Sequence, residues 1–138
     1  MNNSQNQELH AVLKRFDPDT LVETVRELGE DWAKANSSAS SLEETRKTLL
    51  AKLTREYMNN GLRSGAAGER AKSVSVSSAE QSALADERYE QHLDLMVQAR
   101  EYSDITRVRY DMGKMRLELM RSQMATVRQE MSFSRFAT

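Results

Sequence analysis

Apolar residues recur along this chain at the three- and four-residue spacing of an α-helix, and two stretches of polar residues interrupt them. Asp17-Pro18 opens the first run, with Asp17 as N-cap and Pro18 at the first helical position. Leu21, Val25, Leu28, Trp32 and Ala35 then form one apolar stripe, which predicts a helix over about 18–35. The polar run NSSASS at 36–41 predicts its end. Ser41 and Glu44 read as a capping box for a second helix over about 41–59, with an apolar face of Leu42, Leu49, Leu50, Leu53 and Tyr57. Thr48, Lys52 and Arg55 point away from that face, Lys47 lies at its edge, and Arg46 falls inside it without an evident reason. Asn59-Asn60-Gly61 reads as the C-cap.

A glycine-rich segment follows, and a third helix starts at Ser77 with Glu80, or at Ser78 with Gln81. No proline occurs from there to about Ser132, so the pattern predicts one long helix over about 78–132, roughly 80 Å if unbroken. Its apolar stripe is Tyr89, Leu93 and Met96, then Ile105, Val108, Met112, Met115 and Leu119. The register slips near Arg100–Asp104, as at a kink or stutter. A second stripe, Met120, Met124, Val127 and Met131, is rotated from the first. A helix with two apolar stripes has two neighbours, so these twelve residues are the expected oligomer interface. Gly113 beside them either permits close helix approach or only weakens the helix. The alternation Ser73-Val74-Ser75-Val76-Ser77 is too short and unpartnered to predict a strand. The expected fold is therefore all-α: one helical domain over 17–132 between a flexible segment at 1–16 and a tail at 133–138. A helical hairpin with a long C-terminal helix assembles into a homo-oligomer.

Composition points the same way. Of 138 residues, 38% are hydrophobic, 6% aromatic and 30% charged, which is little for a compact core and suits long helices that bury one stripe. A lone protomer would bury little apolar surface against its ordering entropy, which favours self-association. There is no cysteine, hence no disulfide or thiolate metal site, as in a reducing compartment. No apolar run is long enough to span a membrane and the N-terminus has no signal-like core, so the expected location is the cytoplasm. Chemistry is sparse. His10 and His92 stand alone, GLRSGAAGER lacks the Lys-Ser/Thr ending of a phosphate loop, and no Gly-x-Ser-x-Gly motif occurs. An enzyme is not expected, nor a cofactor or metal.

The net charge of −1 conceals blocks. By residue count, 1–40 carries −3, 41–77 carries +3, 78–104 carries −5 and 105–138 carries +4. The second block holds Arg46, Lys47, Lys52, Arg55, Arg63, Arg70 and Lys72. Their guanidinium and ammonium groups suit phosphate oxygens, and three of the five glycines lie in 59–73, where backbone amides could approach a phosphate. Tyr57 stands nearby as a candidate for base stacking.

One resemblance bears on this. Trp32 ends an amphipathic helix; a basic helix follows, with Leu53-x-x-x-Tyr57 at its end, then the Asn-Gly/Arg/Gly loop. Ser78-Ala79, Leu84 and Asp86 open the long helix, which continues through Asp104 and Arg107 to Met120-Arg121. The arrangement resembles the UvsY family of phage recombination mediators, most closely over 78–121. Residues 1–16 and 122–138 fall outside it, and the loop here is longer and richer in alanine. The resemblance implies a small helical protein that forms homo-oligomeric rings and has no catalytic site. It implies binding to single-stranded DNA without sequence preference, and loading of a recombinase onto DNA covered by single-strand-binding protein. The alternative is a non-enzymatic scaffold or adaptor, such as a virion assembly factor or a secreted helical hairpin. Trp32 is followed by Ala-Lys, so the secreted-hairpin signature is missing.

Overall fold

The structure, a computed structural model, describes Gln7, Ala11, residues 17–63 and residues 75–136. These are helical almost throughout: α1 (Pro18–Arg63), α2 (Val76–Leu84) and α3 (Glu87–Phe136). No strand occurs among the described residues, as the pattern predicts. No helix among them is long and apolar enough to cross a membrane.

Asp17 caps α1 as expected, its carboxylate accepting from the Asp19 amide at 3.1 Å and the Thr20 hydroxyl at 2.6 Å. The break expected at NSSASS is absent. α1 runs through it as one 46-residue helix. Ser41 is inside the helix, its carbonyl accepting from the Thr45 hydroxyl at 3.0 Å, so it caps nothing. Small residues here serve close packing: Ala35 is 6% exposed and Ala39 is fully buried, while Asn36 Oδ1 accepts from Arg100 at 3.0 Å. The expected stop at Gly61 is also absent, because α1 continues to Arg63.

The long helix breaks once, at Ala85–Asp86. α2 begins two residues earlier than expected, with Ser75 as N-cap accepting from the Ser78 amide at 3.1 Å. Asp86 then caps α3: its Oδ1 accepts from the Arg88 amide at 2.8 Å, and its carbonyl from the Tyr89 and Glu90 amides. α3 continues for 50 residues without a further break.

Two compact units can be described separately. In the first, α1 up to Ala33 runs antiparallel to α3 from Ile105 onward. A Cβ on Gly113 would lie 3.0 Å from Leu28 Cδ1 and 3.3 Å from Val25 Cγ2, and one on Gly29 would lie 3.0 Å from the Tyr110 ring. Both glycines mark close helix approach. Trp32 stacks on Tyr110 with ring centroids 6.0 Å apart, Arg107 lies over Trp32, and the Lys114 ammonium lies 4.5 Å from the Tyr110 centroid. In the second unit, Lys34–Asp104, the core is Leu53, Ala83 and Tyr89, with Leu49, Leu50, Tyr57 and Leu93 packed around it. His92 Nε2 donates to the Leu42 carbonyl at 2.8 Å, which ties α3 to α1 within this unit.

The seam of α3 corrects the stripe reading. Tyr89, Leu93 and Met96 lie on its buried or half-buried side, and so do Met120, Met124, Val127 and Met131. Between them the seam keeps its three-four spacing through buried Ser103 and Thr106, half-buried Tyr110, buried Gly113 and half-buried Leu117. There is no register slip. Ile105, Val108, Met112, Met115 and Leu119 belong to a different face, and each is 43–67% exposed.

Candidate nucleic-acid interface

The basic segment lies on the second half of α1. Of its acids, Glu43 and Glu56 are engaged elsewhere in the same unit, while Glu44 is exposed beside Lys47 with no ion pair among the described residues. Glu43 Oε1 is 2.9 Å from the Arg100 guanidinium, and Glu56 Oε2 is 2.8 Å from that of Arg88. Arg46, Lys47, Lys52 and Arg55 are exposed, and none of them forms an ion pair among the described residues. Helical spacing of 100° per residue puts Lys47, Lys52 and Arg55 on the half of α1 opposite Leu49, Leu53 and Tyr57. Arg46 lies on the core side by spacing yet reaches solvent, as a long side chain with a charged head can.

Lys47 and Arg55 border an open groove of about 570 Å³, lined also by Leu50, Ala51, Thr54, Met58, Asn59 and Glu80. The two cations are eight residues apart, about 12 Å along the helix. A groove with two cations on one wall and an apolar floor suits a flexible polyanion with planar bases. Glu80, on α2, is the one lining residue that opposes it.

Tyr57 does not offer a free ring. It packs against the Leu53–Ala83–Tyr89 core and its hydroxyl donates to Asp86 Oδ2 at 2.8 Å. That bond, and then burial, raise its pKa above the ordinary tyrosine value. Asp86 collects bonds from three groups: the Arg88 amide, the Arg88 guanidinium at 3.1 Å and the Tyr57 hydroxyl. The Arg88 guanidinium, followed by the Tyr57 hydroxyl, holds the Asp86 carboxyl well below the usual range. The cluster of Tyr57, Asp86, Arg88 and Glu56 joins the end of α1 to the start of α3. An aspartate before Glu-Arg after a short helix was its only sequence signal, as an N-cap.

Of the other expected site residues, Arg63 is the last residue of α1, and Arg70 and Lys72 lie outside the described residues. The fold thus puts two of the expected cations, Lys47 and Arg55, on one groove, leaves Arg46 and Lys52 exposed elsewhere on α1, and assigns Tyr57 to packing. No group of three or more His, Cys, Asp or Glu placed to hold a metal occurs among the described residues. No family model, curated protein or solved structure matches the chain.

Proposed function

We propose that this chain is a non-enzymatic helical protein that assembles with copies of itself, binds single-stranded DNA without sequence preference, and helps to load a recombinase or annealing protein on DNA covered by single-strand-binding protein. The carrying observation is the charge of α1. Arg46, Lys47, Lys52 and Arg55 reach solvent without an ion pair among the described residues, while the neighbouring Glu43 and Glu56 are bonded to Arg100 and Arg88. With Glu43 and Glu56 paired, these four cations outweigh the exposed Glu44, so this stretch of α1 is positive even though the whole chain is nearly neutral. Each protomer supplies a few phosphate contacts, weak alone, and an assembly multiplies them through effective concentration. The recombinase and single-strand-binding protein enter through the UvsY-like order of residues.

Fluorescence anisotropy with labelled poly-dT across a salt series tests the reading. Replacing Lys47, Lys52 and Arg55 with Ala should lower the log–log salt slope by about 0.7 for each phosphate that is no longer neutralised, about 2 in all. A parent protein that does not bind at low salt removes the DNA reading. The scaffold reading then replaces it, favoured by the exposed apolar face of α3.

A further inference from the structure

On α3, Ile105, Val108, Met112, Met115 and Leu119 repeat at intervals of three, four, three and four. All five are exposed, from 43% at Ile105 to 67% at Met115. They lie two residues out of phase with the buried seam of Thr106, Tyr110, Gly113, Leu117 and Met120, so one heptad-spaced face is occupied within the chain and another is bare. Taking Ile105, Met112 and Leu119 as a positions and Val108 and Met115 as d positions, the flanking e positions are Arg109 and Arg116. The flanking g positions are Asp111 and Glu118, and the sequence has Asp104 one heptad before Asp111. One flank is wholly basic and the other wholly acidic.

This pattern fits a partner of one kind. When two helices lie parallel across an a/d face, each g residue meets the e residue five positions on in the other copy. Asp111 then meets Arg116, and Asp104 meets Arg109. When they lie antiparallel, like meets like: arginines face arginines and carboxylates face carboxylates, which is unfavourable. Within the chain, Asp111 is 2.8 Å from the Lys114 ammonium and 3.9 Å from the Arg107 guanidinium. Those pairs are exposed and exchangeable, and a carboxylate has room for a further donor. We propose that the Ile105–Leu119 face of α3 docks on the same face of a second copy in parallel orientation. This deepens the self-assembly part of the proposed function and is independent of DNA binding.

The absence of cysteine makes orientation measurable. Ile105→Cys and Leu119→Cys stand near opposite ends of the face. Each variant, and an equimolar mixture mixed before oxidation, would be oxidised mildly and run on a non-reducing gel. Parallel docking gives a disulfide-linked dimer from each variant alone. Linkage confined to the mixture means an antiparallel arrangement and overturns the proposal, as does no linkage in any sample. Native mass measurement supplies the second test. Val108→Glu with Met115→Glu should give a 15.8 kDa monomer with its helical circular dichroism retained, since both side chains are exposed. An unchanged assembly mass in that variant also overturns the proposal. Poly-dT binding is measured separately, so cross-linking without DNA binding removes the DNA reading and leaves this one standing.

Discussion

Replacing Ala39 with Leu tests whether NSSASS is a packing surface. Ala39 is fully buried in the middle of α1, in the same unit as Ala35 at 6% exposure and Ser103 at 1%. The Asn36–Arg100 and Leu42–His92 bonds set an antiparallel register that carries this stretch of α1 along the 92–103 stretch of α3. Leucine adds three carbons where there is no free space, so α1 must shift or the side chain must leave its rotamer. Overpacking of this kind costs about 1–3 kcal/mol. With a urea m-value of about 2 kcal/mol/M, a loss of about 2 kcal/mol lowers the midpoint by roughly 1 M. The control is Ser38→Leu, one residue away and exposed, which should leave the midpoint unchanged or slightly raised because leucine is the better helix former. The assay is urea unfolding followed by circular dichroism, at one protein concentration because self-association shifts apparent stability. If the two variants unfold at the same urea concentration, Ala39 is not a contact residue and a continuous, closely packed α1 is the wrong description.

Leu53→Ala should cost about 2–5 kcal/mol by the same assay, because Leu53 is 1% exposed at the centre of a core with few large side chains. Gly113→Leu should destabilise as well, since even a Cβ there meets Leu28 at 3.0 Å, and helical propensity alone would give the opposite sign. Asp86 predicts an acid limb. Its folded pKa lies below the unfolded value of about 3.9, so its contribution is complete above that value and is lost as pH falls below it. Asp86→Asn keeps an N-cap side chain but removes the titration, and its stability should fall less than the parent's between about pH 5 and about pH 2. Tyr57→Phe should weaken the fold by removing the bond to Asp86, and Tyr57→Ala should leave poly-dT affinity unchanged while the variant remains folded; a loss of about 1–3 kcal/mol per base would return Tyr57 to the DNA surface.

Sequence alone determined the all-helical class, the start of α1 at Asp17-Pro18 and the chemical character of the basic segment. These depend on local signals: three-four periodicity, a proline that tolerates only the first turn, and side-chain charge. Continuity of α1 was also present in the spacing, since Val25, Leu28, Trp32, Ala35, Ala39, Leu42, Arg46, Leu49 and Leu53 keep one heptad phase. A run of serines read by propensity hid it, because serine is poor in isolated helices and well suited to close helix contact. Tertiary structure decided which heptad face of α3 is occupied. The seam through Ser103, Thr106 and Gly113 is buried although less apolar than the bare face of Ile105, Val108, Met112, Met115 and Leu119. Small side chains let two backbones approach, a property of the pair and not of either helix. For the same reason only the fold could show Glu43 and Glu56 taken by arginines of α3, which leaves the α1 cations exposed to solvent.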